Sequence, residues 1–306
     1  GKTAMGTKSD DFVEHLFVAS THSTFLFITN FGKVYQSKVY ELPMAGRSSL
    51  GKAIVNLLNF DEGEKLATVL TVDQFVENKY VVMATKKGRV KKTDLMAYSR
   101  RRSGGLIGVK LADDDELIVA RITDGDMNIF LGSEGGKVIR FHEGDVRATA
   151  RGSMGVRGMR IDKNVKVVGM EVLGPEDTLL TVTENGYGKR SSIEEYRTQT
   201  RGGKGVFSIK TSKRNGKMVS LLLVDSNDEL MMVTDKGKLI RTSIEGINVI
   251  SRNTQGVKLI NLSSGEKLIG IARLPEEEDQ AEEDQDDMNI EDLSVDKENG
   301  DGEIID

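Results

Sequence analysis

Cysteine and tryptophan are absent from this sequence, histidine occurs three times, and aromatic residues make up only 5% of the chain. Without cysteine there can be no disulfide and no thiolate metal site, which suits a reducing compartment such as the cytoplasm. His15, His22 and His142 are scattered and give no metal triad. No run approaches the ~18 apolar residues of a membrane span, and the N-terminus lacks a signal-peptide pattern. The expectation is a cytoplasmic chain with no membrane partner and no metal.

Glycine is abundant, at 33 of 306 residues, and it is periodic. Boxes ending in glycine read Arg47-Ser-Ser-Leu-Gly51, Gly104-Gly-Leu-Ile-Gly108, Arg151-Gly-Ser-Met-Gly155, Arg201-Gly-Gly-Lys-Gly205 and Arg252-Asn-Thr-Gln-Gly256, spaced 57, 47, 50 and 51 residues apart. Each follows, by 19 or 20 residues, another glycine (Gly32, Gly88, Gly136, Gly186, Gly237) set between two β-rich runs. A period near 50 with two internal landmarks predicts a repeat architecture. Runs such as Thr178-Leu-Leu-Thr-Val-Thr-Glu-Asn-Gly186-Tyr-Gly-Lys-Arg predict tight hairpins with the glycine at the φ > 0 position of a two-residue turn. Further apolar strands follow each box, giving four short strands per repeat, the arithmetic of a propeller blade. Helical periodicity is lacking beyond a turn near Glu194–Tyr196. Gly1 lies 50 residues before Gly51, so Gly1-Lys2 reads as the end of an earlier box and Asp10–Ala19 as late strands of that repeat.

The net charge of −5 hides an asymmetry. Residues 275–306 hold 16 acidic residues and one basic, leaving 32 acidic against 42 basic residues in 1–274, a net of +10 there. Two regions follow: a basic β-rich body over 1–274 and an acidic tail over 275–306 with too few apolar residues to offset ordering, so disorder is expected.

Cations recur at equivalent repeat positions, and such positions in a propeller-like array fall on one rim. The candidates are Lys33, Lys38, Arg47 and Lys52; Arg89, Lys91, Lys92, Arg100, Arg101 and Arg102; Lys137, Arg140 and Arg151; Lys189, Arg190, Arg201, Gly202, Gly203, Lys204 and Gly205; Lys238, Arg241 and Arg252. The turns after the boxes are more often acidic, as at Asp61-Glu62, Asp113–Glu116 and Glu266. Arginine forks, close-approach glycines and free loop amides suit phosphates. The expected partner is therefore duplex DNA, held through its backbone without reading of bases. Gly202-Gly203-Lys204-Gly205 lacks the spacing, terminal Ser/Thr and following helix of a nucleotide phosphate loop. Taken singly, a box glycine is more often turn geometry than a binding group; arginine in four of the five boxes as read above tilts the set towards function.

These residues together resemble the C-terminal domain family of the bacterial DNA gyrase A subunit, from a type II topoisomerase. The resemblance rests on Gly32-Lys-Val-Tyr with Lys38-Val-Tyr-Glu-Leu-Pro43, Gly51-Lys-Ala-Ile-Val-Asn-Leu-Leu58, Gly88-Arg-Val-Lys-Lys-Thr93, Gly155-Val-Arg-Gly158, Asn185-Gly-Tyr-Gly-Lys-Arg190, Gly237-Lys-Leu-Ile-Arg-Thr242 and Arg252-Asn-Thr-Gln-Gly256-Val, and it covers 1–274. It implies a six-bladed β-pinwheel with strands exchanged between blades, the first blade incomplete here. It further implies DNA bent and wrapped around the perimeter, in support of ATP-dependent negative supercoiling. The implied partners are the rest of the gyrase A polypeptide, together with the gyrase B polypeptide, in an A2B2 complex. ATP, Mg²⁺ and the DNA-cleaving residues would lie outside this chain, leaving it without catalytic site or cofactor. The family's Gln-Arg-Arg-Gly-Gly-Lys-Gly box belongs to the first blade, of which Gly1 is the last residue; Gln199-Thr-Arg201-Gly-Gly-Lys-Gly205 is a near copy in a later one. Two other readings compete: the corresponding domain of topoisomerase IV, and a protein-binding propeller scaffold.

Overall fold

A computed structural model describes residues 20–42, 58–176 and 178–274. The chain separates into one unit over Gly1–Pro275 and another over Glu276–Asp306. The acidic tail, the Asp10–Ala19 strands and the first box lie outside the described residues.

Five hairpins recur in order. They are β1 (Thr24–Thr29) with β2 (Lys33–Lys38), β4 (Tyr80–Thr85) with β5 (Arg89–Asp94), β8 (Asn128–Ser133) with β9 (Lys137–His142), β12 (Thr178–Thr183) with β13 (Tyr187–Ser192), and β16 (Glu229–Thr234) with β17 (Leu239–Ser243). In the first turn the Gly32 N–H donates to the Thr29 carbonyl at 2.9 Å and glycine takes φ +74. Asn30 and Phe31 are not left-handed, so the turn has three residues with a left-handed glycine last, rather than the two-residue form expected.

A long strand returns alongside the first strand of each hairpin: β3 (Leu66–Val72), β7 (Leu117–Thr123), β11 (Val167–Val172), β15 (Met218–Val224) and β19 (Leu268–Leu274). The fourth strand is two residues long and comes from elsewhere. β6 (Leu106–Ile107), β10 (Val156–Arg157), β14 (Val206–Phe207) and β18 (Val257–Lys258) each leave their own repeat and pair with the outer strand of the preceding hairpin. The sheet orders are β3-β1-β2-β6, β7-β4-β5-β10, β11-β8-β9-β14 and β15-β12-β13-β18; the fifth, β19-β16-β17, has three strands among the described residues.

This exchange explains why two glycines recur. The Gly32 carbonyl accepts the N–H groups of Gly108 (2.7 Å) and Val109 (3.2 Å), just past the donated strand of the next repeat. Gly88 does the same for Gly158 and Met159, Gly136 for Ser208 and Ile209, and Gly186 for Leu259 and Ile260. The second box must be re-read accordingly. β6 follows Gly105, as β10 follows Gly155, so the box is Arg101-Arg-Ser-Gly-Gly105 and not 104–108. Gly105, Gly155, Gly205 and Gly256 all have positive φ, the spacing from Gly105 onward becomes 50, 50 and 51, and arginine opens every box.

Among the described residues there are five sheets, not the six the resemblance implied. The glycine period itself counts five hairpins; the sixth rested on residues 1–19, where no strand is described.

The core lies between neighbouring sheets. Leu26, Ile28, Val34 and Val72 of the first sheet pack with Val81, Met83, Leu117 and Ala120 of the second, and the same interleaving joins each later pair. Central strands are covered on both faces, so β1 and β12 are buried throughout. Each repeat thus depends on its neighbours for its apolar cover. The acidic turns after the boxes are internal fasteners: Thr29 donates to Glu64 at 2.6 Å, Thr85 to Asp115 at 2.7 Å and Thr234 to Glu266 at 2.9 Å, and all three acids are buried.

Two buried lysines join outer strands to the backbone around the boxes and donated strands. Lys91 Nζ donates to Thr93 Oγ1 and, at 2.8 Å, to the Gly108 carbonyl; Lys189 Nζ donates to Ser191 Oγ and, at 2.7 Å, to the Ser251 carbonyl. Burial pushes both ammonium groups down to about 8; nearby Arg151 adds to this for Lys91, while at Lys189 Glu195 opposes it and Arg252 adds to it.

Two outcomes test this arrangement. At Gly136, with φ +79, a Cβ would collide with the Ile209 carbonyl, whereas at Gly246 it would meet nothing within 4 Å. Gly136→Ala should cost about 1–3 kcal/mol from backbone strain alone, and Gly246→Ala about 0.5 or less; equal urea midpoints would contradict the close approach. In the second case the folded lysines release protons near pH 8, well below the unfolded value, so the unfolded chain binds more protons as pH rises. Stability of the unaltered chain, relative to the Lys91→Met/Lys189→Met variant, should therefore increase from about pH 7.5 to about pH 9.5. A flat or falling difference in urea midpoints would show that the two amines are not held this way.

Candidate nucleic-acid interface

The segment leading to each box runs along the outer strand of the preceding sheet before donating its own short strand there. Parallel bridges join Lys92 to Ala148, Arg140 to Thr198 and Arg190 to Val249. Linker, box and donated strand together form the outer edge of each sheet, which we call the rim.

Strand cations and box cations have different roles on this edge. Equivalent positions along the outer strands reach the next repeat's linker: Gln36 donates to the Tyr98 carbonyl, Lys92 to Glu143 O at 3.0 Å, Arg140 to Ile193 O and Tyr196 O at 3.4 and 3.3 Å, and Arg190 to Ile247 O at 2.7 Å. Arg89 holds Met154 O at 3.2 Å and Gly155 O at 2.7 Å. With buried Lys189, which reaches Ser251 O in the next repeat, these side chains tie repeats together, while buried Lys91 bonds within its own repeat to Thr93 and Gly108. Lys33 pairs with Asp61, Lys137 with Asp162, Lys238 with Glu266 and Arg241 with Glu229, while Lys38 donates to His22 O. The Lys33–Asp61, Lys137–Asp162 and Arg241–Glu229 pairs lie at the surface, where such pairs are weak and easily exchanged, whereas Lys238 meets the buried Glu266.

Box arginines bridge one rim segment to the next. Arg201 donates to Asp145 O at 2.8 Å and Arg157 O at 3.2 Å, and Arg252 to Phe207 O at 3.0 Å. Arg101 instead forks to both oxygens of Glu41 at 2.8 Å. A guanidinium carries five N–H donors, so Arg201 and Arg252 retain donors beyond these bonds. Arg151 is half-buried, and exposed Arg100, Arg102 and Lys204 have no carboxylate partner among the described residues. The loop amides are less free than expected: Gly202 N–H donates to Gly158 O at 2.6 Å, and the Gly203 carbonyl accepts from Arg160 N. Gly205, with φ +72, has no room for a Cβ, which would lie 2.5 Å from Val138 O. Arg47 and Lys52 lie outside the described residues.

A second cation series was missed in the sequence. Lys110, Arg160 and Lys210 are exposed, sit 50 residues apart, and donate their backbone N–H to the next box at Ser153, Gly203 and Thr254. Exposed Arg147 and Arg197 precede the boxes, and exposed Arg157 and Lys258 end donated strands. The signal was present: once the second box is placed at 101–105, these cations fall into register. Among the described residues no three His, Asp or Glu side chains could hold a metal. His142 contacts Asp126 and accepts the Gly144 N–H, a turn-capping role.

Five successive segments, 23–73, 79–124, 128–173, 177–225 and 228–275, match the family model described as the DNA gyrase C-terminal domain, beta-propeller, one segment per sheet. The chain is 45% identical over 282 residues to the DNA gyrase A subunit of Salmonella typhimurium and 44% identical over 280 residues to that of Escherichia coli K12, in each case over 92% of this chain and 32% of the relative. It spans about a third of the length of these curated relatives. Among solved structures, the C-terminal domain of DNA topoisomerase IV superposes with TM-score 0.76 at 25% identity, covering 83% of this chain and 80% of that one. A DNA gyrase A C-terminal domain superposes at 0.75 with 24% identity over 89% and 93%, a likeness of fold. No helix among the described residues is long and apolar enough to cross a membrane. With half of its length and more matched in register with its five sheets, the chain belongs to the DNA gyrase C-terminal domain family of beta-propellers.

Proposed function

We propose that this chain binds, bends and wraps duplex DNA around its rim without reading base sequence, and so supports ATP-dependent negative supercoiling by a gyrase complex. The observation that carries the reading is the repetition of exposed rim cations, Lys110, Arg160 and Lys210, in register with the box arginines. Evenly repeated charge on equivalent outer edges matches a polymer with evenly repeated phosphates, and a curved path requires contacts that offset an elastic cost of roughly 1–6 kcal/mol for a 20–30 bp bend. In this reading the partners are duplex DNA and the remaining parts of the gyrase A and B polypeptides, joined in an A2B2 assembly in the bacterial cytoplasm at the nucleoid. ATP, Mg²⁺ and strand cleavage belong to parts of that assembly outside this chain. The acidic tail competes with DNA for the rim, a role motivated by −15 beside +10 in one chain.

The topoisomerase IV reading shares the fold, with nearly equal TM-scores, but the curated relatives cited are gyrase polypeptides. A protein-binding scaffold would need an apolar or mixed face and would bind DNA with little salt dependence.

The test is duplex affinity as a function of salt. A slope near −0.9 per phosphate neutralised is expected, and Lys110→Ala/Arg160→Ala/Lys210→Ala should make it shallower by about 2.7 while weakening binding equally on unrelated sequences. A weak, flat dependence in the unaltered chain would refute the DNA reading and favour the scaffold. Deleting 275–306 should tighten binding at low salt; unchanged affinity and wrapping would remove the competitive role of the tail.

A further inference from the structure

We propose that Ile107 and Phe207 are apolar wedges that enter the minor groove and unstack bound DNA at two places, two repeats apart. The proposal rests on the rim being a DNA surface and names how that surface bends its ligand.

In β6, β10 and β14 the first residue is at least partly covered and the second faces outward, whereas in β18 both Val257 and Lys258 are exposed. The outward positions are Ile107, Arg157, Phe207 and Lys258, so the same site alternates between apolar and cationic along the series. Ile107 is 61% exposed and Phe207 42%, among the most exposed large apolar side chains described. Their cross-strand partners are cations: Lys33 opposite Ile107 and Lys137 opposite Phe207. Directly paired residues of an antiparallel ladder share a face, and Lys137 Nζ lies 5.3 Å from the Phe207 ring centre. Each apolar tip is thus set on the rim beside an ammonium group.

That combination fits the minor groove of a bent duplex. A phosphate-binding cation holds the backbone while the apolar tip enters a base step, as minor-groove proteins do when they kink DNA by 20–90°. Concentrating curvature at two flexible steps lets the intervening Arg157 site lie against straighter duplex. A protein partner would also bury Ile107 and Phe207, but it would not require a cation beside each at the same register.

The test uses the full chain with Ile107→Ser/Phe207→Ser, Ile107→Leu/Phe207→Leu and Arg157→Ser/Lys258→Ser. Unstacked thymines are mapped with permanganate, and affinity is compared for a duplex with and without one mismatch. The unaltered chain should expose two reactive zones and prefer the mismatched duplex about tenfold, because a mismatch lowers the cost of unstacking. The serine pair Ile107→Ser/Phe207→Ser should abolish both effects at an unchanged salt slope, and the leucine pair should retain them. Arg157→Ser/Lys258→Ser should keep both zones and make the slope shallower by about 1.8. Steeply salt-dependent binding with no reactive thymine, or reactivity that survives Ile107→Ser/Phe207→Ser, would overturn the wedges alone. Absence of salt-dependent binding in the unaltered chain would overturn the rim reading beneath them.

Discussion

The carbonyl of each hairpin glycine is the joint on which this molecule depends. At Gly32, Gly88, Gly136 and Gly186 it accepts two N–H groups from the next repeat, just where that repeat's short strand has been laid on the outer edge. The backbones approach too closely for a side chain at either landmark: a Cβ on Gly88 would lie 2.8 Å from Met159 O, and one on Gly256 2.8 Å from Gly188 O. Neighbouring sheets share their cores, so each joint also aligns two apolar faces. Register and packing therefore stand or fall together, one repeat boundary at a time.

The same joint fixes which cations face solvent. Position along the strand decides: Lys92, Arg140 and Arg190 turn to linker carbonyls and hold repeats together, while Lys110, Arg160 and Lys210, three residues beyond their donated strands, are exposed. Two populations of basic residue arise from one repeated pattern. The structural population is bonded largely to carbonyls, as at Lys91, Arg140, Lys189 and Arg190, while Lys92 also pairs with the buried Glu143 carboxylate at 3.4 Å. Carboxylates such as Asp115 and Glu266 are held instead inside turns by Thr hydroxyls and backbone amides.

The hairpins and their count were legible because a left-handed glycine between two β-rich runs is a strong local signal. Strand donation was implied by the family resemblance but not legible in the residues themselves. A two-residue strand such as Val156–Arg157 has no periodicity of its own, and its partner Arg89–Val90 lies more than 60 residues earlier. At the second box, three glycines (Gly104, Gly105 and Gly108) compete for one landmark, and choosing Gly108 hid both Arg101 as the box arginine and Lys110 as the partner of Arg160 and Lys210. Lys91 and Lys189 look like rim cations in sequence because lysine is normally exposed; their burial depends on contacts with Gly108 and Ser251 that no single segment reveals. The sixth blade came from the resemblance together with the spacing of Gly1 and the run Asp10–Ala19, whereas the hairpin glycines had counted five.

Amine reactivity in the presence and absence of duplex DNA tests the central claim, that DNA follows the rim defined by the donated strands. DNA should protect Lys110, Lys204, Lys210 and Lys258 on that edge. Lys166, Lys217 and Lys267, which lead into the inner strands, should keep their reactivity. Protection of the inner-strand lysines with the rim lysines still reactive would contradict this placement of DNA.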